Sequence, residues 1–409
     1  VVCGGGAAGM VAGVRAHQLT GKKVIILEKA KYPGGDAWYA HCIEIHGSKW
    51  QLDAGSDSRE AKIEWIKATY PGKFREKHIT DTVNTTGRFF DWLVDLDPVE
   101  ANECFEMRDG VDAVSAWFSD KTATRKFIAF PDRKFYNLKN PDLAIGPGYM
   151  GSYFTRKTTQ YVEQHDGIEL LTKHRTTGLK LDSDGKVCAV IANDGGGDLE
   201  ISCKGVILAT GGATHAYDLI RRNWPLYFGE AGDEPVHCFC VPTNEGDVEG
   251  IAKSIGVEPD YDRFMVNMFG PVHHPFDYMG VMASMNPAAV TVNLNGKRWY
   301  DESNFVNGSA QMHAQPGRVS YSIIDDDLVE ELGNMWRNDP NTRWMDATHD
   351  CDWAFKDFRA NMQHEAELGK PCKIADTFEE LAIKCGMDPV NFCETMENYN
   401  RYCEQGVDE

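Results

Sequence analysis

Three glycines near the start of the chain, followed by one acidic residue, have the types and spacing of a phosphate- and ribose-binding unit. Gly4, Gly6 and Gly9 fit the pattern G-x-G-x-x-G, and Glu28 comes nineteen residues after Gly9. Glycines let a diphosphate approach backbone N–H groups at the positive end of a helix, and a carboxylate accepts hydrogen bonds from both ribose hydroxyls. We therefore expect a dinucleotide site. Because the carboxylate would repel a 2′-phosphate, the pattern leaves NAD and FAD.

The elements around these residues form a predicted strand–turn–helix–strand unit. Val1 and Val2 indicate the end of a buried strand, and the apolar residues between Met10 and Leu19 follow a helical period. The segment KKVIILEKA predicts a second buried strand that ends on Glu28. This order places the glycine turn between a strand and a helix, as a dinucleotide site requires.

The segment after the second strand distinguishes between the two cofactors. A nicotinamide domain usually continues with another helix and strand, whereas here KYPGGDAWYAHC follows at once, with Gly34 and Gly35 before small and aromatic residues. A turn of this kind suits a cofactor that continues past the diphosphate and lays a flat ring over the backbone. The sequence therefore favours FAD.

Composition limits the partners and the location. The chain has 409 residues and a net charge of −20, from 62 acidic and 42 basic side chains. This length predicts two domains, and the charge argues against nucleic acid or an anionic membrane as a partner. No apolar stretch could span a bilayer, and the absence of a visible targeting segment is uninformative here; we expect a cytoplasmic protein. Export stays open, since the chain begins inside a predicted strand and we expect its true N-terminus to be missing.

The twelve cysteines are scattered along the chain. Their spacings, including the C-x-C pair at Cys238 and Cys240, do not match iron–sulfur or zinc motifs. We expect reduced thiols and no metal site.

Hydrophobic patterning predicts a hairpin, a strand and three helices later in the chain. A hairpin runs from Gly178 to Asn193 around the turn DSDGK, and ISCKGVILATGG returns as a buried strand. The segment TGRFFDWLVDL predicts a helix with one apolar face. Near the end of the chain, two helices are separated by residues 386–389, with Asp388 as the cap of the second.

Seven blocks, in this order, resemble the flavoprotein family of fumarate reductases and succinate dehydrogenases, which includes the 3-ketosteroid dehydrogenases. They are GGGAAG, LEKA, GGDAW, VILATGG, NEGDV, NGKRWYDE and FEELAIKCGMDPVNFCETMENYNRYCEQGVD. The resemblance implies an α/β fold, α+β overall, with a Rossmann-like, doubly wound FAD-binding domain and a capping domain. We expect the FAD domain at 1–267 and the capping domain at 268–409. A final segment that returns to the FAD domain in this family is expected to be missing.

The resemblance also implies which residues hold FAD. They are Gly4, Gly6, Ala7, Ala8, Gly9, Glu28, Lys29, Gly34, Gly35, Asp36, Ala37, Trp38, Thr177, Ala209, Thr210, Gly211, Gly212 and Asp247. The glycine turn would hold the diphosphate and Glu28 the ribose. Residues 35–37 would lie near the flavin ring, residues 210–212 on the other side of the cofactor, and Asp247 at the ribityl chain.

The proton-handling residue departs from the family pattern. In relatives, an arginine or a tyrosine lies four residues after the glutamate of the NGKRWYDE block, where this chain has Val306. Phe269 stands where fumarate reductases place a histidine that grips a carboxylate. Because valine cannot transfer a proton and phenylalanine cannot bind a carboxylate, both residues argue against a small dicarboxylate substrate. Tyr300 and then His313 are the predicted substitutes, and four further residues stay open as alternatives: Tyr39, His41, His273 and Tyr278.

The segment from Phe264 to Met285 is rich in methionine and aromatic residues. Such a segment predicts a pliable wall for a bulky or aromatic substrate, and an ordinary interdomain core fits it as well. We expect an FAD-dependent oxidoreductase that reduces the activated C=C bond of an α,β-unsaturated small molecule, with a donor protein or reduced carrier supplying electrons. The alternatives are a ketosteroid-type desaturase and the flavin subunit of a larger electron-transfer complex.

Overall fold

A computed structural model describes most of the chain: residues 1–39, 44–72, 74–109, 126–129, 150–223, 241–259, 289–302, 311–330, 358–368 and 372–408. The helices are α1 Ala7–Thr20, α2 Lys49–Asp53, α3 Arg59–Thr69, α4 Glu76–Leu96, α5 Pro98–Cys104, α6 Met150–Gln164, α7 Tyr217–Asn223, α8 Asp247–Lys253, α9 Phe358–Glu367, α10 Phe378–Cys385 and α11 Pro389–Gln405. The strands are β1 Val2–Cys3, β2 Val24–Glu28, β3 Glu106–Asp109, β4 Lys126–Ala129, β5 Ile168–Thr172, β6 Arg175–Leu181, β7 Val187–Asn193, β8 Asp198–Ser202, β9 Ile207–Leu208, β10 Val290–Asn293 and β11 Ser320–Ile323.

A parallel sheet forms the centre of the first part of the chain. Its strand order is β5-β2-β1-β9, so the first strand of the chain has neighbours on both sides. The chain leaves β1 through α1 to β2 on one side and returns much later as β9 on the other. Ligands of open α/β sheets bind where the strand order reverses in this way, at the carboxyl ends of the strands. The predicted α/β class with a parallel sheet is confirmed.

Successive side chains of a strand point to opposite faces of its sheet, so neighbouring residues of one strand pack against different layers. On one face α1 and α6 pack against Val2 and Ile26. On the other face α8 and the antiparallel sheet β6-β7-β8 pack against Cys3 and Leu27. The predicted hairpin at residues 178–193 is confirmed, since β6 and β7 are paired and antiparallel.

The predicted buried strand in ISCKGVILATGG is wrong. The segment forms β8, which pairs with β7, and the separate two-residue strand β9, which pairs with β1. Ile207 and Leu208 are 42% and 43% exposed. Strand β9 is the outer strand of the described sheet, and a local apolar pattern cannot distinguish an outer strand from a central one.

Helix α4 presents one apolar face, as predicted, through the buried residues Ile79, Val83, Gly87, Phe90 and Leu93. A Cβ on Gly87 would lie 2.5 Å from backbone atoms of residues 46–48. The helix therefore fixes that segment by direct backbone contact.

A buried ionic cluster joins this segment to α3. Lys62 Nζ lies 2.5 Å from Glu44 Oε1, His46 Nε2 lies 3.1 Å from the same oxygen, and His46 Nδ1 lies 2.6 Å from Ser58 Oγ. Lys62 is only 4% exposed. Burial alone would raise the pKa of Glu44, but hydrogen bonds and positive charge from His46 and Lys62 outweigh it and lower that pKa to about 2.

A separate core lies in the last part of the chain, where β10 and β11 pair antiparallel and α10 and α11 pack on them. Its buried residues are Val290, Val292, Ala382, Cys385, Met387, Phe392 and Met396. Helix α10 ends at Gly386 with φ +70°, and the Asp388 carboxylate accepts the Asn391 N–H at 2.9 Å, which confirms the predicted break and cap. The proposed boundary between residues 267 and 268 lies outside the described residues, so the division into two domains stays a prediction.

Within the described ranges, no helix is both long and apolar enough to cross a membrane. The predicted cytoplasmic location stays a prediction. The eight cysteines in these ranges are all free thiols.

Candidate cofactor site

Two glycines of the opening turn are required by the turn itself. Gly4 has φ +106°, and a Cβ on it would lie 2.1 Å from the Ala209 carbonyl oxygen. A Cβ on Gly9 would lie 1.7 Å from the Gly4 carbonyl oxygen. The turn is thus folded tightly on itself and against the end of β9, and larger residues would displace backbone.

Gly6 differs from both, because no described protein atom demands a glycine there. Its φ of −72° is open to any residue, and the nearest atom to an added Cβ is the Gly34 carbonyl oxygen at 3.9 Å. Helix α1 starts at the next residue without a side-chain cap, and Ala7 and Ala8 are exposed. Because the N–H groups of a first helical turn lack intrahelical partners, an anion fits beside Gly6. The residues present therefore fit the diphosphate of a dinucleotide.

Glu28 ends β2 inside the same turn. Its Oε2 accepts the Gly5 N–H at 2.8 Å, its Oε1 accepts the Ala30 N–H at 2.7 Å, and the residue is 7% exposed. Burial raises the pKa of this carboxyl. Each oxygen keeps a second lone pair for a ribose hydroxyl, so the predicted role of Glu28 stays compatible with this geometry.

Replacing Glu28 with alanine is expected to destabilise the protein by about 2 kcal/mol or more, because two N–H groups lose their acceptors in a buried turn. FAD affinity is expected to fall with it. Urea unfolding and FAD titration measure the two effects. The matched control is Asp194→Ala, since Asp194 also accepts two backbone N–H groups, from Gly196 and Gly197, but on an exposed loop. Equal effects of both substitutions would contradict the prediction.

The second predicted turn lies directly against the first. Gly34 N–H donates to the Gly5 carbonyl at 2.8 Å, and Ala37 is buried. The Asp36 carboxylate accepts the Val241 N–H at 2.7 Å. Trp38 belongs to the short 3-10 turn Gly35–Tyr39. The residues assigned to the flavin side are therefore tied to a segment about two hundred residues away in sequence.

The third turn follows β9. Ala209 N–H donates to the Cys3 carbonyl at 2.8 Å, which sets Thr210 and the two glycines after it beside the opening turn. Gly211 has φ +78°, while Gly212 has an ordinary φ and no described neighbour within 4 Å of an added Cβ. Like Gly6, Gly212 leaves space that the described protein does not fill.

Lys29 and Asp247 lie at the Glu28 end of this site and bind each other. Lys29 Nζ is 2.6 Å from Asp247 Oδ2, and Arg175 Nη2 is 2.5 Å from Asp247 Oδ1. Glu245 lies 3.1 Å from both cations. The structure thus brings Asp247 to the residue that follows Glu28, and its predicted contact with a ribityl chain stays a prediction. The partner Arg175 was missed, since a lysine or arginine at a strand end carries no distinctive pattern.

Thr177 lies at a bulge in β6, and its hydroxyl donates to the Ile191 carbonyl at 3.4 Å. Its contact with cofactor stays a prediction. In the described residues, no three His, Cys, Asp or Glu side chains are placed to hold a metal ion.

The predicted proton-handling residues lie in the last part of the chain rather than among the glycine turns. Tyr300 Oη is 3.4 Å from Thr291 Oγ1, and burial raises the pKa of this tyrosine to about 12. His313 is in the short turn Met312–Ala314 before β11. Several positions singled out from the sequence lie outside the described residues: Val306, Phe269, His41, His273, Tyr278, Cys238, Cys240 and the segment from Phe264 to Met285.

The neighbouring Glu302 is buried and holds its own block together. Its Oε1 accepts the Thr291 N–H at 2.8 Å, and its Oε2 accepts from Arg298 Nη2 at 2.6 Å. Arg298 also contacts Asp408 at 2.7 Å. The NGKRWYDE block is therefore anchored to β10 and to the residues after α11.

A parallel sheet whose three glycine turns and strand-end carboxylate meet at one edge defines a dinucleotide-binding protein. The family model described as FAD binding domain matches residues 1–409. The vinyl phenol reductase of Lactiplantibacillus plantarum is 24% identical over 100% of this chain and 77% of the relative. The NADH:acrylate oxidoreductase of Vibrio harveyi is 24% identical over 100% of this chain and 41% of the relative.

A 3-ketosteroid-Δ4-(5α)-dehydrogenase from Rhodococcus jostii RHA1 has a solved structure of the same fold. Its TM-score is 0.67 at 19% identity, over 100% of this chain and 77% of that one. The chain belongs to the family of FAD-binding flavoenzymes, and it is an FAD-dependent oxidoreductase. The predicted family resemblance and the predicted cofactor, FAD, are confirmed.

Proposed function

We propose that this chain reduces the activated C=C bond of a bulky or aromatic α,β-unsaturated small molecule. The observation that carries the proposal is the likeness, along the whole chain, to a relative named vinyl phenol reductase. A second relative is named for acrylate, which also has an activated C=C bond. Val306 stands where relatives carry a proton-handling residue and Phe269 where fumarate reductases carry a carboxylate-binding histidine, and both favour a larger substrate over a small dicarboxylate.

Bound FAD supplies hydride transfer at its flavin ring. The residues of this chain bind FAD and the substrate and orient them relative to each other. The open space at Gly6 admits the diphosphate, and Glu28 accepts from the ribose. Asp36 holds the turn on the flavin side to the segment at Val241. Sequestering the reacting carbon against a fixed cofactor supplies most of the rate.

Tyr300 is the proposed proton donor to the neighbouring carbon, and His313 is the second choice. With a pKa of about 12, the Tyr300 hydroxyl keeps its proton at neutral pH. A hydroxyl can donate its proton as a general acid, although a pKa raised by burial weakens it, whereas the Val306 side chain has no proton to donate. The Thr291 hydroxyl at 3.4 Å orients it.

Replacing Tyr300 with phenylalanine is expected to slow substrate reduction by at least about 100-fold, the contribution of a general acid. FAD content is expected to stay unchanged. Rapid-mixing kinetics of the reduced enzyme with substrate measure the rate. Tyr321→Phe is the matched control, because Tyr321 is another half-buried tyrosine of the same unit, packed on its core. An unchanged rate in Tyr300→Phe would transfer the role to His313.

The proposed activity is tested by reducing the bound flavin without oxygen and mixing it with vinyl phenols, cinnamates, enones, acrylate, fumarate and steroid enones. Fast reoxidation by the aromatic or bulky compounds is expected. Reoxidation by fumarate at an equal rate would overturn the inference from Val306 and Phe269. Bleaching of the oxidised flavin by a saturated ketosteroid would instead support the desaturase.

The source of electrons is a donor protein or a reduced carrier. The relative named NADH:acrylate oxidoreductase supports a nicotinamide-linked donor, and this chain spans 41% of that relative. If NADH bleaches the flavin only when a second protein is added, the chain is the flavin subunit of a larger electron-transfer complex.

A further inference from the structure

One short segment that leads into α8, residues 241–247, contacts the second turn, the third turn and Lys29. Its N-terminal end holds Asp36, and Gly246 N–H donates to the Gly212 carbonyl at 3.1 Å. Its C-terminal end, Asp247, pairs with Lys29 beside Glu28. The segment therefore spans from the proposed flavin side of the site to the adenosine side.

Asn244 is the central side chain of this segment. Its Nδ2 donates to Asp36 Oδ2 at 2.5 Å, while the other Asp36 oxygen accepts the Val241 N–H at 2.7 Å. Asn244 is only 6% exposed. A hydrogen bond from a buried amide to a carboxylate is among the stronger ones in proteins, and breaking it leaves a polar group without its partner.

The side-chain oxygen of Asn244 lies against the third turn. Asn244 Oδ1 lies 2.6 Å from where a Cβ of Gly211 would be, so only a glycine fits there. The Asn244 backbone is fixed as well, because its N–H donates to the Val241 carbonyl at 3.0 Å and its carbonyl accepts the His215 N–H at 2.8 Å. One buried amide thus sits between the turn of Asp36 and the turn of Gly211.

We propose that Asn244 is a positioning residue that sets the spacing between these two turns and thereby controls binding of the flavin half of FAD, but not the adenosine diphosphate half. The proposal rests on the assignment of residues 35–37 to the flavin side. The adenosine half depends on other residues, namely the opening turn and Glu28, which Asn244 does not touch in the described contacts. ADP affinity is therefore an internal measure of an intact site.

The test exchanges the carboxylate and the amide of the Asp36–Asn244 pair. Titration calorimetry with FAD and with ADP measures the two affinities. Asn244→Asp places two carboxylates at hydrogen-bond distance, and FAD affinity is expected to fall at least about tenfold while ADP affinity stays within about twofold. Asp36→Asn combined with Asn244→Asp restores one donor and one acceptor. The double variant is expected to recover most of the FAD affinity, which a general loss of packing would not do.

Two further readouts separate positioning from stability. The visible absorbance and circular dichroism of bound flavin are expected to shift in Asn244→Asp and to return in the double variant. Asn193→Asp is the matched control, because Asn193 Nδ2 donates to Asp198 Oδ1 at 2.9 Å on the exposed β7–β8 hairpin. That control is expected to leave both affinities unchanged.

The outcomes are distinct. An equal loss of FAD and ADP affinity in Asn244→Asp, or no recovery in the double variant, overturns the proposal without contradicting the assignment of the cofactor site or the proposed function. A wild-type protein that binds ADP but shows no gain in affinity for FAD overturns both this proposal and the proposed function.

Discussion

Replacing Gly6 with valine is expected to weaken FAD binding by at least about 100-fold while the apoprotein still folds. A Cβ on Gly6 would lie 3.9 Å from its nearest described neighbour, the Gly34 carbonyl oxygen. The described protein therefore leaves room for a larger side chain at this position. That space lies at the uncapped start of α1, where a diphosphate would accept backbone N–H groups. Losing two charge-assisted hydrogen bonds costs about 3 kcal/mol or more, which is about 100-fold in affinity.

Equilibrium titration of the apoprotein with FAD measures this loss, and urea unfolding measures the fold. The unfolding free energy is expected to change by no more than about 1 kcal/mol, the cost of a poor residue at a helix start. Gly197→Val is the matched control, since Gly197 also has an ordinary φ and open surroundings but lies in the exposed β7–β8 turn. It is expected to retain FAD.

Gly9→Val completes the comparison. Its Cβ would lie 1.7 Å from the Gly4 carbonyl oxygen, so this variant is expected to unfold or to misfold around the turn. If Gly6→Val retained FAD at wild-type affinity, the diphosphate would not lie beside Gly6, and the assignment of the opening turn would be wrong.

Replacing Lys62 with methionine is expected to lower the free energy of unfolding by about 3 kcal/mol at neutral pH, because it leaves the mostly buried Glu44 carboxylate without its closest cation. The depressed pKa of Glu44 agrees in direction, since the hydrogen bond from His46 and then the charge and hydrogen bond of Lys62 lower it. Lys67→Met on the same helix is the control, because Lys67 pairs with exposed Glu64 and Glu76 and should matter little.

The pH dependence of the free energy of unfolding tests whether the lost ion pair with Glu44 causes the destabilisation. A carboxyl with a depressed pKa in the folded state stabilises the protein above its unfolded value of 4.5 and loses that stabilisation as the pH falls toward about 2. The difference between wild type and Lys62→Met is therefore expected to narrow as the pH is lowered from about 5 to about 3. Urea unfolding at several pH values measures it. A difference that stays constant with pH would mean that the lost cation–π contact with Trp65, rather than the ion pair with Glu44, is responsible.

The opening strand–turn–helix–strand unit could be predicted from the sequence, because the residues that determine it lie close together in the chain. The spacing of Gly4 to Gly9 and the apolar run ending at Glu28 fix a strand, a turn and a helix within thirty residues. The hairpin around DSDGK and the helix break before Pro389 were predictable for the same reason, since turn residues and caps act on their neighbours.

Long-range features could not be predicted in this way. The Asp36–Asn244 contact joins residues 208 positions apart, and nothing in either segment names the other. Lysines on amphipathic helices are expected in solvent, so no pattern indicates that Lys62 is buried against Glu44. The exposure of β9 depends on which strands flank it, which is a property of the whole sheet rather than of the segment ILATGG.

The position of β1 in its sheet has a consequence for synthesis of the protein. Val2 pairs with Ile26 on one side and with Ile207 on the other. About 200 residues must therefore be synthesised after β1 before this strand can acquire its second neighbour. During that interval the growing chain carries an incomplete sheet, a state prone to aggregation, so chaperone shielding of the incomplete sheet and late loading of the flavin are to be expected.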